Sequence, residues 1–281
     1  MIIVIDGLNR DMFGDVLDDM FKLRARVFGD RLGWDVTVRN GREIDRFDLL
    51  DPAYVIGLDA EGNVVSCVRA LQTTGPHMLS DVFYDILDGE PPLRSATIWE
   101  STRFCVDTQR LAPDGNMHAV SMATCELMIG ALEFAKRSGI EDIITVIDPV
   151  INRILRRSDN APYGYVGTAK QMGKVTAMAA LLECSQERIE RVRAFSGISH
   201  DLLLSDTEAR ALLDRKAAQD GRKCTPSRPA EDQVTAEDIR QYCQELADAA
   251  KDSDEMRAVR SLVAALVRAK IHPAGLSIAH G

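Results

Sequence analysis

A chain of 281 residues can build one large domain, or one domain with an appendage. Its 46% hydrophobic content is too high for a disordered chain, and no run approaches the roughly eighteen apolar residues of a membrane span. A net charge of −9 argues against general nucleic-acid binding, while leaving room for a local basic patch facing an acidic partner.

Met1 to Arg10 meets Asp6 after four apolar residues, so it reads as an edge strand and not as a signal peptide. Phe13, Leu17, Met20, Arg24 and Phe28 recur at steps of three and four. This predicts a helix over Asp11–Phe28 with Arg24 on its apolar face. Gly29 to Leu50 is polar, weakly periodic and holds Trp34, the pattern of a long, partly mobile loop. Tyr54–Asp59 and Val64–Gln72 flank Ala60-Glu61-Gly62-Asn63, a hairpin signal. In the second strand Val65, Cys67, Arg69 and Leu71 share a face, and Arg69 interrupts it. A loop from Thr73 to Ser95 leads to a strand at Thr97–Val106.

Met117–Arg137 is a long apolar helix closed by Gly139. Asp142–Ile147 is continuously apolar and short, as a central strand is. Asp148-Pro149 opens a helix, with Asp as cap and Pro in the first turn. That helix turns Ile151, Ile154 and Leu155 inward and Arg153, Arg156 and Arg157 mostly outward. Val175–Leu182 reads as a strand and Ser185–Phe195 as a polar helix. The order predicts an α/β fold, a mixed central sheet with helices on both faces. From about Asp214 the texture changes. The expected organisation is a main domain over 1–213, a polar linker over 214–234 with Pro226 and Pro229, and a helical C-terminal extension over 235–281. In that extension Thr235-Ala236-Glu237-Asp238 resembles a capping box, and Asp254–Lys270 forms a second helix.

The six cysteines, Cys67, Cys105, Cys125, Cys184, Cys224 and Cys243, lie far apart. Most sit in apolar runs and read as core thiols of a cytoplasmic protein, with no metal-binding spacing. The five histidines are scattered and receive no role.

The two interior arginines carry the chemical argument. A buried guanidinium is costly unless carboxylates hold it. Glu43, Asp45, Asp48 and Glu100 are candidates, with Arg103 as a third cation. An interior ionic cluster of this kind is more often a site than a chance arrangement, although Arg24 with Asp45 or Asp48 can also be a purely structural pair. In a regular strand Glu100 and Arg103 point to opposite faces. For both to join one cluster the strand must bulge or bend, and an irregularity is expected near Ser101–Thr102.

Leu23-Arg24, Phe28, Arg31, Trp34 and Glu43-Ile44-Asp45-Arg46-Phe47-Asp48, with Arg69 and Glu100-Ser101-Thr102-Arg103-Phe104, resemble the signature of the LuxI-type acyl-homoserine-lactone synthases, the autoinducer synthases. The resemblance covers roughly 1–204 and says nothing of the rest. It implies a fold similar to the N-acetyltransferases with a cleft splitting the sheet. It also implies a reaction. S-adenosylmethionine, a substrate and not a cofactor, supplies an amine that attacks an acyl thioester carried by acyl carrier protein or coenzyme A. The methionine carboxylate then closes a lactone and expels methylthioadenosine.

The residues suit that chemistry. Phe28 and Trp34 offer aromatic faces to a sulfonium, and Asp45, Asp48 and Glu100 offer charge. Arg24, Arg69 or Arg103 can fork the ligand carboxylate. Glu100 is the first candidate base and Asp45 the second. Arg103 and Phe104 are placed in the site, with backbone N–H groups there as oxyanion donors. The resemblance links Thr145 to 3-oxo-acyl substrates, and an ordinary β-branched strand residue is the equal alternative. Met122 and Tyr163, with Leu127, Met128, Tyr165 and Met178, are candidates to line an acyl tunnel, although most suit ordinary core. Arg153, Arg156, Arg157, Lys170 and Lys174 can form a docking face for carrier protein or coenzyme A, or a plain solvated surface. Two other readings stay open: an acetyltransferase-like enzyme acylating a different amine, and an inactive binding or regulatory relative. Oligomeric state is not indicated.

Overall fold

The computed structural model describes residues 1–173, 175–219, 256 and 260. The chain divides into two compact units, Met1–Cys224 and Thr225–Gly281. The first begins with β1 (Ile2–Ile5). A 3-10 turn (Arg10–Phe13) leads into α1 (Gly14–Arg24), which continues as a π-helical stretch over Ala25–Arg31. A small hairpin, β2 (Val38–Arg39) and β3 (Arg42–Glu43), precedes a 3-10 turn at Arg46–Leu49. Then come β4 (Ala53–Leu58), β5 (Val64–Gln72), α2 (Met78–Asp81), a 3-10 turn at Tyr84–Leu87 and β6 (Ile98–Val106). The second half runs through α3 (Thr108–Leu111), α4 (His118–Arg137), β7 (Asp142–Ile147), α5 (Pro149–Arg157), β8 (Gly164–Met172), β9 (Val175–Glu183), α6 (Gln186–Ser196) and α7 (Asp206–Gln219).

Seven strands form one sheet in the order β1-β4-β5-β6-β7-β9-β8. All neighbours are antiparallel except β6 and β7. That parallel pairing runs from Ile98↔Asp142 to Ser101↔Thr145 and stops. Beyond it β6 stays with β5, and Val146 and Ile147 stay with β9. The sheet therefore opens between β6 and β7, and the unpaired edge of β6 lines the opening.

Strand alternation divides the core between the two faces. Ile2, Val55 and Val68 pack beneath α4 and α6 with Leu127, Ile129 and Ile189. Ile3, Ile56 and Cys67 pack with Phe13, Leu17 and Met20 of the α1 segment and Leu212 of α7. Helices thus cover both faces, as the element order predicts. Gly130 lets α4 approach β1: a Cβ there would lie 3.0 Å from Ile2. Asp148 accepts from the N–H groups of Val150 and Ile151 to start α5, and Ser185 accepts from the Arg188 N–H to start α6.

Several expectations change. The first helix does not end at Phe28 but widens into π geometry and reaches Arg31, shortening the expected loop. That loop also holds the β2–β3 hairpin and a 3-10 turn. Tyr163–Gly167 leads into and begins β8, a strand whose glycines and polar residues hide its period. Ile154 does not face inward: it is 37% exposed, and Leu155 is the residue that α5 buries. The linker expected from Asp214 begins inside α7, because Ala209 and Leu212 are buried and keep that helix docked through Gln219. The rest of the linker and the paired helices expected after Thr235 lie outside the described residues, apart from helical Met256 and Arg260. Cys67, Cys105, Cys125 and Cys184 are free and buried, and Cys224 and Cys243 lie outside the described residues.

Candidate active site

The spacing of Glu43, Asp45 and Asp48 becomes intelligible once local structure is traced. Glu43 ends β3, and Asp45 caps the following 3-10 turn. Asp45 Oδ1 accepts the Phe47 N–H at 2.8 Å, and Asp48 Oδ2 accepts the Asp45 N–H at 2.8 Å. This reciprocal cap fixes both carboxylates by backbone bonds.

Three guanidinium groups converge on them. Arg24 bonds Glu43 through Nε at 2.6 Å and grips both oxygens of Asp48 at 2.8 and 2.9 Å. Arg69 bonds both oxygens of Asp45 at 2.6 and 3.0 Å, reaches Asp48 Oδ1 at 2.8 Å, and donates from Nε to Thr102 Oγ1 at 3.0 Å. Arg103 joins Glu43 at 3.0 Å and Asp45 at 2.8 Å. Arg24, Glu43 and Arg69 are buried. Burial works against the charges of Arg24 and Arg69, but their carboxylate partners outweigh it. Asp48 is buried as well, yet Arg24 and Arg69 hold its carboxyl well below the usual range. Burial likewise opposes Arg24, and Asp48 with Glu43 holds it above its usual value.

Glu100 and Arg103 meet this cluster because β6 bulges. Cys67 pairs with Cys105 and Arg69 with Thr102, so β6 has one residue more than β5 between those pairs. Arg103 takes up the difference in a left-handed conformation, φ +58°. The expected irregularity is therefore present, just beyond Thr102. It turns Arg103 to the face of Arg69 and Glu100, and it turns Phe104 to the other face, into the core beneath α4. The placing of Phe104 with the ionic cluster is thereby corrected. Glu100 is buried, and its two oxygens accept the N–H groups of Met78 and Leu79 at 2.6 Å each. Burial pushes its carboxyl up to about 7, against the lowering effect of those two bonds and of Arg69.

Phe28 and Trp34 stack with ring centroids 5.1 Å apart, and Arg103 lies over the Phe28 ring at 5.5 Å. Trp34 is 42% exposed, so the stacked pair has an open side. Thr145 sits where β6 and β7 part, and its hydroxyl donates to the Ser101 carbonyl at 2.9 Å. To donate to a substrate carbonyl it must release that bond. Met122 is half-buried against the α4-side core. Tyr163 is not a tunnel residue: it is 57% exposed and its hydroxyl donates to Asp142. Arg153, Arg156 and Arg157 are exposed on α5, with Arg156 donating to the Tyr165 hydroxyl. Lys170 is paired with Asp88, which reduces its part in a basic face, and Lys174 lies outside the described residues.

Sequence reasoning missed several participants, Leu79 among them through its N–H to Glu100. Tyr54 donates to Asp48 Oδ1 at 2.8 Å, Thr102 accepts from Arg69, and Met78 bonds Glu100. Tyr54 is read only from register, since it lies opposite Arg69 on β4. Buried Arg188, which donates to Asn160 and Ala161 at 2.8 and 2.9 Å and pairs with Glu183, is a further interior cation outside this site.

A sheet opened between two parallel strands, with a buried ion cluster and the burial-raised Glu100 carboxyl beside the opening, places a charged cleft in an α/β fold, an arrangement that suits an acyl-transfer enzyme. Comparison with known proteins agrees. The autoinducer synthase family model matches residues 9–192. An acyl-homoserine-lactone synthase of Agrobacterium fabrum is 33% identical over 191 residues, covering 68% of this chain and 90% of that protein. A probable acyl-homoserine-lactone synthase of Sinorhizobium fredii is 36% identical over 174 residues, 61% of this chain and 82% of its own. The structure of MesI, a CoA-dependent acyl-homoserine lactone synthase, is 30% identical with a TM-score of 0.63, covering 73% of this chain and all of that one. The chain belongs to the autoinducer synthase family. Its activity is that of an acyltransferase making acyl-homoserine lactones, the signals of quorum sensing.

Proposed function

We propose that the acyl acceptor is the amine of S-adenosylmethionine and that Glu100 is the base of the transfer. The observation that carries this reading is the Glu100 carboxyl, buried at the fork of the sheet and pushed up to about 7. Such a group takes a proton near neutral pH. Asp45 is instead engaged as a partner of two guanidinium groups, its oxygens accepting from Arg69, Arg103 and the Phe47 N–H. Glu100 removes a proton from the ammonium, directly or through one water. The freed amine attacks the thioester carbonyl, the tetrahedral oxyanion collapses, and the thiolate leaves and is protonated. The methionine carboxylate then displaces the sulfonium sulfur at the γ-carbon, closing the lactone and releasing methylthioadenosine.

The open side of the Phe28–Trp34 stack suits the sulfonium and adenine. The unpaired edge of β6 beyond Ser101 supplies backbone groups to the oxyanion and the acyl thioester. The thioester donor is acyl carrier protein or coenzyme A, and the exposed α5 arginines suit the acidic groups of either. The test supplies purified protein with S-adenosylmethionine and a panel of acyl-CoA and acyl-carrier-protein donors and follows product by mass spectrometry. Acyl-homoserine lactone and methylthioadenosine are expected together. Absence of both across the panel overturns the reading.

A further inference from the structure

Met78 touches both halves of the site. It is the first residue of α2, it is buried, and its N–H donates to Glu100 Oε2 at 2.6 Å. Its thioether sulfur accepts from Arg69 Nη2 at 3.4 Å and lies 3.6 Å from Arg103 Nη1. Every other guanidinium nitrogen of Arg24, Arg69 and Arg103 has an oxygen acceptor, so Arg103 Nη1 is the exception among the described residues. Sulfur is a weak acceptor. It holds that N–H in place without neutralising it, and a carboxylate arriving there is a far better partner.

The segment before Met78 is rigidly set. His77 is buried, with Nδ1 3.0 Å from the Gly75 carbonyl and 3.2 Å from Ser80 Oγ, while Ser80 Oγ donates to the His77 carbonyl at 2.9 Å. Two charged groups act on Glu100 from the packed elements: Arg69 of β5 favours its ionised form, and Asp81 of α2 opposes it.

We propose that Met78 is a positioning residue for the acyl transfer: its N–H orients the Glu100 carboxylate, and its sulfur keeps Arg103 Nη1 aimed at the carboxylate of the amino-acid substrate. This rests on the reading of S-adenosylmethionine as acceptor and Glu100 as base. The two halves separate by mutation in the full chain. Met78→Leu conserves volume and the N–H and removes the sulfur. It is expected to raise KM for S-adenosylmethionine about 3- to 10-fold, the effect of losing a modest hydrogen bond, with kcat little changed. Met78→Pro removes the N–H at a first-turn position that tolerates proline, and His77 before it is already extended at φ −150° and ψ 165°. Met78→Ala is its control, since it loses the side chain and keeps the N–H. The kcat–pH midpoint of Met78→Pro is expected to lie about one pH unit above that of Met78→Ala, because a bond to the charged carboxylate has gone. An active wild type with an unchanged KM in Met78→Leu overturns the inference alone, whether or not Met78→Pro folds, and so do equal midpoints in the proline and alanine variants. A wild type that forms no acyl-homoserine lactone overturns the inference together with the reading beneath it.

Discussion

Asp48 accepts five hydrogen bonds, from Arg24, Arg69, Tyr54 and its own turn, more than any other buried carboxylate among the described residues. Asp48→Asn leaves two buried guanidinium groups short of an anion. It is expected to destabilise the fold by about 3–5 kcal/mol in chemical denaturation. Asp48 and Glu100 act on stability with opposite sign. The depressed carboxyl of Asp48 stabilises the fold above its unfolded pKa and loses that contribution as pH falls through its folded value. The raised carboxyl of Glu100 favours the fold while protonated, and its contribution falls as pH rises from 4.5 to about 7. The stability of the wild type relative to Glu100→Gln should therefore drop by about 3 kcal/mol across that window and level off above it. Denaturation series at several pH values check this; a difference that stays flat or grows with pH contradicts it. Arg24 and Arg69 were legible as interior cations because each breaks an apolar period. Tyr54, Thr102 and Met78 were not, because a tyrosine or threonine in a strand and a methionine in a loop look ordinary until register and chain reversal bring them to the charges.

Parity of side chains along β6 revealed that a bulge was needed, but parity does not say which residue takes the left-handed conformation. Arg103 does. An L-residue there costs roughly 1–2 kcal/mol that glycine avoids. Arg103→Gly should accordingly be more stable than Arg103→Ala by about 1 kcal/mol in urea unfolding, while both lose acyl-homoserine lactone synthesis. Equal stabilities would mean the bulge moves when its side chain is removed. The π-helical stretch over Ala25–Arg31 escaped sequence reasoning for a related reason: steps of three and four fit a helix whether or not one turn is widened. β8 escaped because it is an edge strand with exposed polar residues. Its path is nevertheless tightly fixed at Gly167, where φ is +64° and a Cβ would fall 1.8 Å from the Ile86 carbonyl oxygen.

The mixed sheet and its two helical layers followed from the succession of apolar runs, whereas the strand order and the boundary near Asp214 did not. The residues after it are polar, and only the burial of Ala209 and Leu212 reveals that α7 belongs to the first unit. A chain ending at Gln219 is expected to keep synthase activity. One ending at Ser205 should melt at a clearly lower temperature, since losing even one buried leucine typically costs about 2–5 kcal/mol. Thermal melts and product assays on the two truncations decide this, and equal melting temperatures would show that α7 adds nothing to the first unit. The outer side of β1 has a further consequence. Ile2 gives its N–H to the Leu202 carbonyl, and its own carbonyl receives the Leu204 N–H. Strand β1 is thus sealed by a segment that lies far later in the same unit. Until translation passes Leu204, a row of bare amides stands ready to zip onto a neighbouring nascent chain, so fast elongation through the final helices should protect the cell's yield of folded enzyme.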